Sequence, residues 1–366
     1  MAERVVLHVG VPKTGSTFVQ EILWANRDAL LRQGILLPGS RAAHYQAMGD
    51  LRRGLWYDPS ARWTWDRLVD ETRSWPGTVV ISEEMLGAAT ADEARRAVRD
   101  LAPAAVHVVV VARDLWRTIP SSWQQAVRAR GISGFREYVA SLRTGSRQAF
   151  WDHQTPLPVL RRWGGQLPPE QRHLVTVPPP GSDRNLLWQR FHRAVGIPDG
   201  VCRVDEVADN PSLGAAETEL LRRVNIALGD EYPLSIPYKK VVRRHLVTPV
   251  LMRRPRGARF GAPLDIATWV AGRAEEMVTQ LRDYPCQVWG DLDDLVPTAM
   301  SASAGPDDLT DGELLDLAVQ TIVDLLRRTE LDLAHRDADR RADWRHGLRR
   351  RVGRAAHRLG IRSPGG

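Results

Sequence analysis

Residues 8–17 read His-Val-Gly-Val-Pro-Lys-Thr-Gly-Ser-Thr, a set of residue types suited to holding an anion. Gly10 and Gly15 let backbone amides come close to a ligand, and Thr14, Ser16 and Thr17 add hydroxyl donors. An apolar run (Val5, Val6, Leu7, Val9) precedes the segment, and a helical pattern carrying Phe18, Ile22 and Leu23 follows it. Strand, glycine-bearing turn and helix start is the geometry that grips a phosphate, because free N–H groups and the positive helix end both face it. In the G-x-x-x-x-G-K-[ST] nucleotide loop the lysine follows the second glycine. Counted from Gly10, the residues after Gly15 are Ser16 and Thr17, and the lysine stands earlier, at Lys13. That departure argues against an ordinary ATP or GTP hydrolase.

Two further strand ends carry chemistry. The β-branched run Val106–Val111 ends in Ala112-Arg113-Asp114, and a helical stretch with Trp116, Arg117, Ser121 and Trp123 follows. A guanidinium fork at a strand end can hold two phosphate oxygens, and a helical serine can add a donor. Alternatively, Arg113 and Asp114 form a surface pair at a helix start. The run Thr78–Ser82 leads into Glu83 and Glu84. A carboxylate near bound anions and partly buried has a raised pKa, which suits a general base; at a helix start it would simply complement the dipole.

Pro12-Lys13-Thr14-Gly15-Ser16-Thr17 resembles the 5′-phosphosulfate loop of sulfotransferases that use 3′-phosphoadenosine 5′-phosphosulfate (PAPS). In that family an Arg at a strand end and a Ser eight positions later bind the 3′-phosphate, and Arg113 and Ser121 have this spacing. Ser82-x-Glu84 is similar to a segment of bacterial members, and Val288-Trp289-Gly290-Asp291-Leu292 resembles their closing Gly-Asp-Leu stretch. Arg253-Arg254-Pro255-Arg256-Gly257 matches a late adenosine-site loop only superficially, since a proline interrupts it. The resemblance implies an α/β, three-layer P-loop NTPase-like fold with a central parallel sheet. It implies PAPS as co-substrate with no metal, held by residues 12–17, Arg113 and Ser121. The reaction would be in-line sulfuryl transfer to a hydroxyl or amine of a glycan, glycolipid or secondary metabolite. Lys13 would stabilise the departing phosphate oxygen, with Glu84 as base and His44 as the alternative, because histidine serves in other branches. Two rivals are a P-loop kinase or phosphotransferase, which would want the missing lysine and magnesium, and a non-catalytic relative of the fold.

These residues need elements to position them. Strands are expected at Val5–Val9, Thr78–Ser82, Val106–Ala112 and His173–Val177, and helices at Ser16–Gln33, Ala91–Leu101, Trp116–Arg130, Arg147–Trp163 and Leu186–Val195. Such alternation means a parallel sheet with helices on both faces, and ligands then sit at the carboxyl ends of the strands. Residues 1–297 are expected as the α/β domain, with 41–76, rich in tryptophan, as an insertion lining the acceptor site. A linker, 298–312, leads to a helical extension, 313–366. The formal charge of +7 is matched by residues 335–366 alone, where ten arginines stand against Asp337, Asp339 and Asp343. The rest is neutral overall, which does not support nucleic-acid binding. Trp344, Leu348, Val352, Ala355 and Leu359 recur at helical spacing among those arginines, giving a basic amphipathic segment. It can meet an anionic membrane surface or an acidic partner through residues 335–362, or pack back on the acidic helix Asp311–Arg328. Two cysteines without metal or disulfide spacing, no membrane-length apolar run and a strand that starts almost at once lead us to expect a cytoplasmic protein.

Overall fold

The strands form where branched apolar residues run almost unbroken, as burial on both faces requires. In the computed structural model, which describes residues 2–53, 58–204, 213–232, 238–254, 260–298, 300, 301 and 305–330, they build one parallel sheet. Its members are β1 (Arg4–His8), β2 (Ile35–Leu36), β3 (Thr78–Ser82), β4 (Ala105–Ala112), β5 (Arg172–Thr176) and β6 (Gln287–Trp289), in the order β2-β3-β1-β4-β5-β6. The central strand sets the register: Val6 of β1 lies beside Val80 on one side and His107 on the other. Val5, Leu7, Val79, Ile81, Val108 and Val110 point to one face, and Val6, Val80, Val109 and Val111 to the other.

Helices cover both faces, giving three layers. On the second face lie α1 (Ser16–Ala25), α2 (Arg27–Arg32) and α10 (Leu186–Val195), through Val19, Ile22, Leu30, Leu187 and Phe191. On the first lie α3 (Arg41–Arg52), α4 (Trp65–Arg73), α5 (Ala91–Asp100), α6 (Leu115–Arg128), α7 (Phe135–Arg143), α8 (Gln148–Gln154), α9 (Pro156–Gly164), α11 (Ala215–Leu228) and α12 (Ala267–Arg282). The last helix among the described residues, α13 (311–330), follows a short 3-10 turn, Pro306–Asp308. β1 stands between β3 and β4, so the segments leaving these three strands meet at one carboxyl edge of the sheet.

Several elements depart from the sequence expectation. The helix expected over Ser16–Gln33 breaks at Asn26, whose side chain donates to the Ile22 carbonyl at 2.9 Å and ties the break to Arg203 through backbone contacts at 3.0 and 2.9 Å. The helix expected over Arg147–Trp163 breaks at Thr155, because Pro156 has no N–H to continue it and instead starts α9. β2, two residues long, and β6, three, are too short for a periodic signal.

The segment 41–76, between β2 and β3, is largely helical. It forms α3 and α4, capped by Ser40 and Thr64, and Trp65 and Trp75 hold it to the body of the protein. Trp65 is fully buried and donates to Asp100 at 3.0 Å, while Trp75 donates to the Gly34 carbonyl at 3.0 Å. Trp63 lies under the Arg67 guanidinium at 4.3 Å. In the segment expected as a linker, Asp307 accepts from the Arg136 amide at 3.0 Å and Asp311 pairs with Arg223 at 2.7 Å. The arginine-rich tail lies outside the described residues, as do 255–257 of the late basic loop; Arg254 of that loop is paired with Asp324 at 2.8 Å. No helix among the described residues is long and apolar enough to cross a membrane.

Candidate functional site

The site begins where β1 ends. His8 is fully buried, and its Nδ1 shares a hydrogen with Ser82 Oγ at 2.8 Å, fastening the end of β1 to the end of β3. The chain then zips onto β4: the Val9 and Val11 amides donate to Val109 and Val111, and the Val111 amide returns a bond to Gly10 at 2.7 Å. Gly10 has φ 124°, and a Cβ there would stand 2.9 Å from the Glu84 carbonyl oxygen. Gly87 is pressed on Val9 in the same way, with 2.6 Å between an added Cβ and the Val9 carbonyl oxygen. Only glycine permits the 3-10 turn Glu84–Ala88 to lie so close over the loop.

Within the loop, Thr14 Oγ1 donates to the Val11 carbonyl at 2.6 Å and closes the turn. Lys13, at its apex, has φ 68°, a left-handed conformation uncommon outside glycine and concentrated at functional sites. Gly15, at φ 89°, supplies the N-cap of α1 but no side chain to cap it, so the amides of the first turn have no side-chain acceptor. Ser16, buried at this helix start, has a hydroxyl with no hydrogen-bond partner among the described residues. Pro12 is buried behind the loop, and Thr17 is half-buried.

Charge gathers on Lys13. Burial lowers its ammonium to about 8; Arg128, Arg113 and Arg243 push the same way, and Glu84 opposes them. Arg113 follows β4. Its Nη2 donates to the Arg117 carbonyl at 2.7 Å, its Nε has no partner, and burial pushes its guanidinium down to about 10 against the pull of Asp114. Asp114 is committed elsewhere: it caps α6 by accepting the Arg117 amide at 2.9 Å and takes the Arg117 side chain as well. Arg117 in turn reaches the Pro178 carbonyl at 3.0 Å, beyond β5. The alternative of an Arg113–Asp114 surface pair is therefore not what forms; the partner is Arg117. Ser121 lies half-buried two turns into α6, one residue before Ser122, which is spent on Tyr138 at 2.8 Å. Pro120 sits inside the same helix.

The two carboxylates after β3 differ. Glu84 is half-buried and acts on Lys13. Glu83 is 9% exposed, caps the 3-10 turn by accepting the Met85 amide at 3.1 Å, and is raised by burial to about 7, with Glu84 adding to the rise and Arg41 opposing it.

His44 is placed differently from the expectation of a candidate base. It is buried on α3, where Nδ1 accepts the Ser82 amide at 3.2 Å. That fixes the hydrogen on Nε2, which donates to the Pro38 carbonyl at 3.0 Å, and burial lowers the ring to about 4. With both nitrogens engaged on backbone, His44 has no lone pair for an acceptor's proton. It is a strut between α3 and β3.

The structure thus brings Lys13, Glu84 and Arg113 to one place and leaves His44 out. Arg128 and Arg243 complete the cluster and were not legible as site residues. Arg128 is separated from Arg113 by a whole helix, and Arg243 lies in a basic run, 239–245, that has no motif to distinguish it from a solvated face. No group of three or more His, Cys, Asp or Glu side chains among the described residues could hold a metal ion. Comparison of the chain with known protein families, with characterised proteins and with solved structures finds no match.

Proposed function

We propose that the protein is a PAPS-dependent sulfotransferase whose donor site is the loop 10–17 with Arg113. One observation carries the reading. A lysine in a left-handed turn stands beside an uncapped helix start with an unpartnered buried hydroxyl, and near a guanidinium not bound to a carboxylate. Those groups together are donors awaiting an anion with more than one phosphate-like group. The lysine precedes the second glycine, which favours this donor over ATP or GTP.

In the proposed reaction the acceptor's oxygen attacks the sulfur of the phosphosulfate as the bond from sulfur to the 5′-phosphate oxygen breaks. The acceptor hydroxyl's proton passes to a carboxylate, and the charge released on the leaving phosphate is met by Lys13 and the amides of the α1 start. These groups stand in place before charge develops, which is where electrostatic catalysis gains most. Residues 12–17 hold the 5′ end of the donor, and Arg113 with Ser121 holds its 3′-phosphate. Glu84 is the base we favour because it shares the electrostatic neighbourhood of Lys13. The buried Glu83, with its carboxyl near neutrality, supports a second assignment, in which Glu83 takes the proton. The acceptor is a hydroxyl or amine of a small molecule or glycan, and a cytoplasmic location belongs to the same reading.

Calorimetric titration with 3′-phosphoadenosine 5′-phosphate, beside ATP and ADP and in EDTA, tests the donor site. Tight binding of the first, weakened in Lys13→Ala and lost in Arg113→Ala, is expected. Preference for ATP that appears only with magnesium would overturn the assignment in favour of a phosphotransferase.

A further inference from the structure

α13 carries an apolar stripe that nothing among the described residues covers. Leu315, Val319, Ile322 and Leu326 are 64%, 49%, 56% and 65% exposed. Their spacing of four, three and four residues puts them on one face of the helix, as in a coiled-coil seam. The opposite face is already docked: Leu314 and Thr321 are buried, Arg254 pairs with Asp324 at 2.8 Å, and Arg223 pairs with Asp311 at 2.7 Å. The other strongly exposed large apolar residues are scattered over separate elements and need no partner.

We propose that this stripe is the docking surface for the chain's own arginine-rich segment, 335–359, returning antiparallel along α13. Three observations select this occupant. The first is continuity: α13 is described as far as residue 330, and the segment begins five residues further along the chain. The second is charge. α13 has Asp311, Glu313, Asp316, Asp324 and Glu330 against Arg327 and Arg328, a balance of −3, whereas residues 335–366 carry +7. The acidic start of α13 would then face the arginines of 349–358. The third is length. Leu315 to Leu326 and Trp344 to Ala355 each cover eleven residue steps, about 16 Å of helical rise. With Leu326 set against Trp344, Ile322 falls level with Leu348 and Leu315 with Ala355, and Val319 comes within one residue of Val352.

Area argues against a second copy as occupant. The stripe offers on the order of a few hundred Å² of apolar surface, and a stable association between separate chains takes about 800 Å² from each partner. A tethered segment does not lose free translation on docking, so a smaller patch suffices.

Cysteine pairing in the full chain tests the assignment. Ile322→Cys with Leu348→Cys is oxidised in dilute solution beside Ile322→Cys with Arg350→Cys, and the links are mapped by peptide mass so that Cys202 and Cys286 are scored separately. Ile322 is exposed, so its replacement leaves the core intact. We expect an intramolecular 322–348 link at least tenfold faster than 322–350, on a monomeric species. Equal rates for the two pairs would overturn the proposal. So would links joining residue 322 of two chains, which would identify a second copy. Absence of any link, with the segment instead carrying the full chain onto phosphatidylglycerol vesicles, would assign it to a membrane surface and equally overturn the docking.

Discussion

Lys13 holds together two unusual conditions, a left-handed backbone and an ammonium lowered to about 8 in a cluster of arginines. Both are unfavourable for an isolated lysine; an anion relieves the second, and the first is a conformation concentrated at functional sites, which together are the physical case for its role. Lys13→Met is expected to slow transfer by roughly 10²-fold or more while weakening donor binding less, because the charge it meets develops in the reaction. Single-turnover rates beside calorimetric affinities check this. The carboxylates separate by pH. If Glu83 is the base, activity climbs as pH rises through about 7, when its carboxyl loses its proton, and Glu83→Gln removes both the activity and the limb. If Glu84 is the base, Glu84→Gln abolishes transfer and Glu83→Gln leaves most of it. Glu83 also has a stability signature. Its folded-state pKa lies above the unfolded value of 4.5, so its contribution is present below that pH and is lost as pH rises toward 7, by about 3 kcal/mol. Glu83→Gln should flatten that part of a melting-temperature profile.

At the scale of elements, the tightest constraint is the seat of the 3-10 turn Glu84–Ala88 on the loop. Gly87→Ala would drive a methyl group into the Val9 carbonyl oxygen, at 2.6 Å, and is expected to cost about 1–3 kcal/mol, read from chemical denaturation, with loss of donor affinity. Most of this architecture was legible beforehand. Strands such as Thr78–Ser82 and helices such as Leu186–Val195 announce themselves because their side chains repeat with the period of the element they form. The failures have local causes. β2 pairs only two residues, too few for a pattern, and the helix break at Asn26 depends on Arg203, far away in sequence. The site was legible where it is local, in the loop 10–17, and illegible where it is assembled. Nothing in the sequence near His44 says that Ser82 and Pro38 occupy its ring, and nothing near Arg128 or Arg243 says that both act on Lys13.

For the whole molecule, burial has made several histidines neutral by force. His8 and His44 sit in the interior at about 4, well below their ordinary 6.5. A depressed histidine stabilises the fold above its unfolded pKa and withdraws that support as pH falls from 6.5 toward 4, by about 3 kcal/mol for each. His107 and His173, hydrogen-bonded to each other at 2.9 Å across β4 and β5, are lowered in the same direction and give way over the same range. Cooperative acid unfolding between pH 6 and 4 is the expected outcome, followed by circular dichroism, and a melting temperature flat across that interval would contradict it.

Pro120 is best understood by what α6 has to connect. Arg113 precedes the helix and Arg128 ends it, and a straight rod of fifteen residue steps would separate their backbones by about 22 Å. Lys13 nevertheless feels both. Pro120 has no amide to donate to the Trp116 carbonyl, so the helical ladder is interrupted midway between the two arginines. α6 thus carries a gap in its hydrogen-bond ladder between two cationic ends that both lower the Lys13 ammonium. Pro120→Ala would restore the hydrogen bond to the Trp116 carbonyl and is expected to raise the melting temperature.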